Sequence, residues 1–367
     1  MKILHINSYY ATSKFYKELF DEEIKKGIEL KVYIPVENNF KNNDFNYGKY
    51  SLLSRSYSKW ERSIFHLKHY RILADIKKRY VISEFDLCHA HSWFSNGYIA
   101  YKLKRLYGLP YIVAIRNTDV NIFYKYMLHL RGLGKKILKN AERVIFISPK
   151  YKEFVLNNLL DEETKKIIID KVVVLSNGIN SFWIKNKFYK EKEYTKNLKI
   201  LYVGNIDKNK NLLTTCKAIE LLKYDGFEII YTVVGKISDN KIFNTLKGKE
   251  YFNYLGVLNK EELIKIYRNN DIFIMPSHKE TFGLVYAEAM SQDLPVIYSK
   301  NQGFDGWFSN GLIGYAVDSN NYHEIYFKVK NIVNMSLHPV NFVDRFIWED
   351  ISIEYINMYT KIIGDRS

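Results

Sequence analysis

DIFIMPSHKETFGLVYAEAMSQDLPVIYS, residues 271–299, reads as strand, loop, helix and strand in succession. Its two ends, DIFIMPS and PVIYS, are short continuous apolar runs. A strand apolar at every position is buried on both faces, and a helix joining two such strands makes them parallel. The same rhythm runs upstream through LKILYVG (198–204), EIIYTVVG (228–235) and YFNYLG (251–256). It also occupies the first half, at KILHI (2–6), LKVYIP (30–35), LCHAH (87–91), YIVAI (111–115) and RVIFIS (143–148). Between the halves, KVVVLSNGIN (171–180) ends the pattern with an Asn177-Gly178 turn. A polar, Lys-rich stretch (181–197) follows before the rhythm restarts. The expectation is an α/β protein of two domains, 1–180 and 181–348, each with a parallel sheet. The two sheets should face a cleft at their carboxyl ends, where ligands of such folds bind. The last stretch, 349–367, should be a helix with an apolar stripe.

The composition agrees with this reading. Of 367 residues, 47% are hydrophobic and 26% charged, which excludes disorder, collagen and coiled coil for the chain as a whole. No apolar run approaches the roughly 20 residues of a membrane-spanning helix. MKILHINSYY is too briefly apolar for a secretory leader and reads as a strand. Cys88 and Cys216 have neither disulfide-motif nor metal spacing, so a reduced, cytoplasmic protein is expected. The net charge of +15 is lopsided. Residues 1–180 hold 31 basic and 18 acidic side chains, residues 181–367 hold 24 and 22, and residues 51–150 alone hold 19 and 6. Compositional bias toward Lys, Asn, Tyr and Ile does not explain why one half stays near neutral. A basic face suits a polyanion or an anionic membrane. Within SKWERSIFHLKHYRILADIKKRY (58–80), Trp60, Phe65, Tyr70 and Ile72 are expected mostly in the core, leaving a Lys/Arg face for lipid.

Candidate chemistry centres on SHKETFGLVYAEAM (277–290). Thr281 reads as an N-cap, which puts Glu280 in the loop and Glu288 one to two turns into the helix. The first N–H groups of that helix suit a phosphate, and two carboxylates flanking an anion suit the hydroxyls of a sugar and a ribose. His89 and His91 share a strand face, but no third metal ligand lies nearby in sequence, and His91 is better placed toward an acceptor. His278 precedes Glu280 by two residues. Ser148 and Ser277 end strands without a nucleophile elbow. No G-x-G-x-x-G follows a strand, which argues against a nicotinamide dehydrogenase. No D-x-D triplet offers a carboxylate-held divalent cation.

The E-x7-E spacing with Phe282-Gly283 after the first Glu resembles retaining glycosyltransferases of family 4, which have the GT-B fold of two Rossmann-like domains. AERVIFISPKYKEF, LSNGIN, LYVGNIDKNKNL, YLGVLNKEELIKIYRNNDIFIMPS and FIWEDISIEYINMY are similar to family segments, so the likeness covers almost the whole chain. It implies that Glu280 contacts the donor sugar and Glu288 the nucleotide ribose. Lys210 would meet the diphosphate, and Phe282, Gly283, Leu284, Gly204 and Gly235 would line the donor. The closing helix would cross back onto the first domain. Asn205 stands where the family has an arginine. Arg116 stands where many members have a histidine, and Asp119 matches the following acid, which puts it on the acceptor side together with His91. A guanidinium does not deprotonate, so Arg116 is no base and is expected to meet phosphate instead.

The resemblance implies a retaining, metal-independent transferase that needs no cofactor beyond its nucleotide-sugar, a UDP- or GDP-sugar. The expected acceptor is a polysaccharide such as capsule or lipopolysaccharide, or a lipid-linked glycan, at the inner face of the cytoplasmic membrane. The alternatives are a GT-B epimerase or hydrolase of nucleotide-sugars, or a basic nucleic-acid-binding protein. Nucleic acid is not expected, because the second domain is nearly neutral.

Overall fold

The computed structural model describes residues 1–41, 44–191 and 193–365. The chain divides into two compact units: Met1–Ile147, Lys152–Gly178 and Trp348–Ser367 make the first, Ser148–Tyr151 and Ile179–Ile347 the second. In the first unit, β1 (Lys2–Ile6), β2 (Glu29–Glu37), β3 (Ser51–Tyr57), β4 (Leu87–Ala90), β5 (Tyr111–Ile115), β6 (Arg143–Phe146) and β7 (Val172–Val174) form one sheet. Its order is 3-2-1-4-5-6-7 and every pairing is parallel. In the second unit the strands are β8 (Asn197–Val203), β9 (Glu228–Val234), β10 (Phe252–Tyr254), β11 (Ile272–Met275), β12 (Val296–Ser299) and β13 (Gly314–Val317). Their order is 10-9-8-11-12-13, again parallel throughout.

Each apolar run named from sequence is a strand. The three strands that sequence did not indicate are β3, β7 and β13, and all three are sheet edges. An edge strand needs no continuous apolar run. SLLSRSY of β3 is half-buried with an exposed Arg55, and VVV of β7 lies in the stretch expected to end the pattern. The strand order reverses between β1 and β4 in one sheet and between β8 and β11 in the other. Loops leaving the carboxyl ends of such neighbours diverge and open a crevice.

The helix Trp348–Gly364 closes the first unit. Its Trp348, Ile351, Tyr355, Tyr359 and Ile362 join Ile3, Leu30, Val32 and Ile112 in one apolar cluster. Gly178 is explained by this helix: a Cβ there would meet the Trp348 indole at 2.5 Å. The glycine is needed for close approach rather than for a turn of unusual φ. Two residues expected in the core are not there, for Trp60 is 61% and Tyr70 66% exposed.

A polar network lies under the closing helix. Tyr359 donates to Glu23 Oε1 (2.9 Å), and its hydroxyl meets His89 Nδ1 (2.7 Å). Glu23 Oε2 lies 3.2 Å from His5 Nε2, and His5 Nδ1 lies 3.0 Å from His91 Nε2. Because Tyr359 gives its proton to Glu23, His89 carries its own proton on Nδ1 and donates it to the Tyr359 hydroxyl. Burial holds His89 and His91 well below the usual histidine range, and separately pushes His69, on the helix Phe65–Arg79, down to about 3. An unfolded chain protonates these rings below about pH 6.5, whereas the folded one does not, so acid favours unfolding. The first unit should lose about 1.4 kcal/mol per pH unit for each such histidine between pH 6.5 and 5. Thermal melts across that range measure it, and a flat transition temperature would contradict the assignment.

Candidate active site

In the second unit the crevice lies between the loop after β8 and the loop after β11. The first loop, GNIDKNK, is folded by its own side chains. The Asp207 carboxylate accepts from Lys210 N (3.0 Å), closing a short turn, and Asn211 follows in the left-handed region at φ 62°. Asn211 Nδ2 donates to the carbonyl oxygens of Pro276 (3.0 Å) and Ser319 (2.5 Å). Asn209 bonds the second loop in both directions, donating to Lys279 O (2.9 Å) and accepting from Lys279 N (3.0 Å). These bonds set Lys210 against Glu280: Lys210 Nζ lies 2.6 Å from Glu280 Oε2, with both side chains largely buried.

Glu280 is braced further. Its N–H donates to Gln302 Oε1 (3.0 Å), its carbonyl accepts from Gly303 N (3.0 Å), and its Oε1 accepts from Thr281 N (3.0 Å). Thr281 is exposed and does not cap the helix. The helix runs Leu284–Ser291, and Gly283 at φ 77° occupies the capping position without a side-chain bond. A left-handed glycine turns the chain more sharply than a threonine cap does. The N–H groups of Leu284 and Val285 are then the first helical donors, since that of Tyr286 already donates to Gly283 O (2.9 Å). The Phe282 side chain turns away and packs on Phe304 and Phe346, with ring centroids 6.1 and 5.6 Å apart.

Glu288 lies one turn into that helix and is half-buried. Burial pushes its carboxyl up to about 7, opposed by the Lys260 charge and by the polar edges of Tyr267 and Trp183. The buried Tyr267 Oη and Trp183 Nε1 face the Glu288 carboxylate. Gly204 and Gly235 end β8 and β9 with positive φ. A Cβ on Gly235 would fall 1.9 Å from Gly204 O, so the two strand ends touch through bare backbone. Asn205 is exposed beside them.

Arg116, His91 and Asp119 come together in the first unit. The Asp119 carboxylate accepts from three backbone groups: Trp93 N (2.9 Å), Phe94 N (3.0 Å) and Arg116 N (2.9 Å). It is fully buried, and burial pushes it up to about 6. The expectation that Asp119 faces an acceptor is corrected: its oxygens hold the loop after β5 to the helix starting at Ser95. His91 is corrected likewise, since its ring is fully buried against His5 and His89. Arg116 donates to His91 O (3.3 Å) and Asn177 Oδ1 (3.2 Å), with its guanidinium 5.7 Å from the Tyr16 ring centre. Its partners are neutral oxygens. His5, far away in sequence, supplies the third imidazole that sequence lacked. One nitrogen from each of the three rings lies within 4.8 Å of the others, and His89 and His91 stack 3.9 Å apart with planes 19° from parallel.

Asn209, Gln302 and the Trp183–Tyr267 pair did not stand out in sequence. The available signal was position: SKNQG (299–303) leaves the carboxyl end of β12, next to β11. Gly235→Ala should destabilise the second unit by about 2 kcal/mol or more through backbone overlap at a positive φ. Urea unfolding followed on this unit tests it.

Two family descriptions match the chain: Glycosyltransferase Family 4 over residues 14–181, and Glycosyl transferases group 1 over residues 184–345. An uncharacterized glycosyltransferase of Methanocaldococcus jannaschii is 24% identical over 81% of this chain and 83% of its own. The capsular polysaccharide biosynthesis glycosyltransferase of Staphylococcus aureus is 25% identical over 67% of this chain and 69% of its own. Among solved structures, sucrose-phosphate synthase from Thermosynechococcus elongatus superposes with a TM-score of 0.74 at 17% identity, covering both chains fully. Anabaena HepE in complex with UDP-glucose superposes with a TM-score of 0.67 at 12% identity, over 98% of this chain and all of its own.

Proposed function

Since the chain belongs to glycosyltransferase family 4 and is a glycosyltransferase of GT-B fold, we propose that it moves a sugar from a UDP- or GDP-sugar with retention of anomeric configuration. The acceptor in this reading is a polysaccharide or lipid-linked glycan of the cell surface. The Lys210–Glu280 pair carries the reading. A donor diphosphate brings negative charge to Lys210 and to the first helical amides after Gly283. It competes with Glu280 for the ammonium, and the released carboxylate oxygen accepts hydroxyls of the donor sugar. Glu288 takes the ribose hydroxyls. The bond from the anomeric carbon to phosphate breaks, the bond to the acceptor oxygen forms on the same face, and the departing phosphate oxygen takes the acceptor proton. Lys210 and the helix start stabilise the departing charge as fixed electrostatics. The lack of any D-x-D triplet supports a metal-independent course.

Glu288 can accept from both ribose hydroxyls at once only when ionised, because protonation turns one of its oxygens into a donor. Its raised pKa therefore makes donor affinity rise with pH through about 7. The test is the melting temperature with UDP-, GDP-, ADP- and dTDP-sugars in EDTA, compared with Lys210→Ala and Glu288→Ala. One nucleotide class should raise it in the wild type. Both variants should weaken that shift, and Lys210→Ala should lower turnover about 10²-fold or more. Proton NMR of the product reads the anomeric outcome. No stabilisation by any donor at millimolar concentration would refute the proposal.

No helix among the described residues is long and apolar enough to cross a membrane. We infer peripheral attachment through the basic stretch 51–150. Support comes from Trp60, Ile64, Tyr126 and Leu128, which are exposed among its lysines and arginines. Vesicles containing phosphatidylglycerol should sediment the protein at low salt and release it at high salt. Trp60→Ser with Leu128→Ser should weaken this attachment, and equal binding to neutral vesicles would contradict it.

A further inference from the structure

A cavity of about 570 Å³ opens in the first unit at the carboxyl ends of β1, β2, β3 and β5. Tyr57, Phe65 and Phe123 line it, and it carries one acid, Glu37, and two strong bases, Arg62 and Lys68. Lys68 stands on the helix Phe65–Arg79, with its ammonium 5.3 Å from the centre of the Tyr57 ring.

The acids around these bases are engaged elsewhere. Glu61 accepts from Ser58 N (2.7 Å) and Ser58 Oγ (2.9 Å), and pairs with Arg71 at 3.1 Å. Asp75 accepts from Tyr33 (2.8 Å), Ser54 (2.5 Å) and Arg79 (3.3 Å). Glu37 acts on Tyr57, and the one charge that acts on Lys68 is that of Arg62. Beneath Lys68, His69 is held neutral and bonds Phe65 O. Burial and Arg62 together push Lys68 down to about 8. Among the described residues, then, two like charges share a partly desolvated cavity with no acid in ion-pair reach. That arrangement costs free energy until an anion enters.

We propose that this cavity is the acceptor subsite for a phosphate ester, with Lys68 and Arg62 holding the phosphate and the aromatic wall taking the adjoining sugar. The proposal rests on the glycosyltransferase reading and adds the chemical class of the acceptor. A phosphate carries close to two negative charges at neutral pH, matching the two bases, whereas a carboxylate carries one. Guanidinium and ammonium both suit its oxygens. Flat sugar faces pack on aromatic rings, and Glu37 can accept their hydroxyls. The phosphate could belong to a soluble sugar phosphate or to a lipid-linked diphosphate sugar.

The experiment reads Lys68 directly. An amine with a pKa near 8 acylates readily at pH 8, and mass spectrometry locates the modified lysine. The probes are glucose 6-phosphate, inorganic pyrophosphate and an undecaprenyl diphosphate-linked sugar in detergent micelles, with methyl glucoside as the neutral control, all without nucleotide-sugar. Phosphate-bearing probes should protect Lys68 at least tenfold, and methyl glucoside should not. Protection by glucose 6-phosphate points to a soluble acceptor, and protection by the micellar probe alone points to a lipid-linked one. Lys68→Met keeps the apolar stem packed; by calorimetry it should bind the protecting probe at least tenfold more weakly and nucleotide-sugar unchanged. No protection by any phosphate-bearing probe at millimolar concentration, or equal protection by methyl glucoside, overturns the proposal. Nucleotide-sugar binding measured on the same protein shows separately whether the transferase reading stands.

Discussion

A parallel sheet of strands apolar on both faces must be covered twice, and in the first unit part of that cover comes from the far end of the chain. The helix Trp348–Gly364 lies more than 150 residues beyond the rest of its unit, yet it completes the cluster holding Ile3, Leu30 and Val32. Several otherwise unrelated features follow from that. Gly178 has no room for a Cβ because the Trp348 indole occupies it. Tyr359 reaches Glu23 and His89, so the helix is held by directional bonds as well as by apolar area. A buried network of this kind is favourable only when nearly every donor finds an acceptor. The bonds from Tyr359 to Glu23 and His89 meet that condition at the helix itself.

What sequence disclosed was governed by how local the cause was. Strands buried on both faces are visible as apolar runs, so the interior of both sheets was legible. The edge strands β3, β7 and β13 were not: β3 mixes polar residues, β7 and β13 are only three and four residues long, and all pair with neighbours distant in the chain. The loop carboxylate Glu280 and the helix carboxylate Glu288 were legible as a pattern, and Lys210 through the resemblance of its loop. Their bracing by Asn209 and Gln302 was not, since those contacts span 70 and 22 positions. Thr281 illustrates a local rule losing to a local competitor: two residues later Gly283 adopts φ 77°, and the helix starts after it.

Asp119 and His91 failed for a different reason. A polar residue at the carboxyl end of a strand in such a sheet suits either ligand contact or loop bracing. Sequence does not separate the two. Three backbone N–H groups converge on the Asp119 carboxylate, and a group so satisfied has little capacity left for a substrate. Its service is indirect, since it fixes the segment that carries Arg116.

The two anion-binding candidates differ in how their positive charge is kept at rest. Lys210 is already paired with Glu280 at 2.6 Å, so a diphosphate arriving there gains only the difference between two partners. Its departure restores a pair rather than exposing a bare cation. Such a site favours exchange, which a donor site needs when a nucleotide must leave after every turnover. Asn205, neutral and exposed, fits the same economy, because a second cation there would tighten the grip on the leaving nucleotide. Lys68 and Arg62 have no such internal partner, and an anion entering their cavity relieves a standing repulsion. Part of the lopsided charge thus lies where no ion pair neutralises it, and long-range attraction works from uncompensated charge. In the proposed reading, a neutralised cation within the nearly neutral second unit suits rapid release, and an unpaired one within the basic first unit suits capture of an anion.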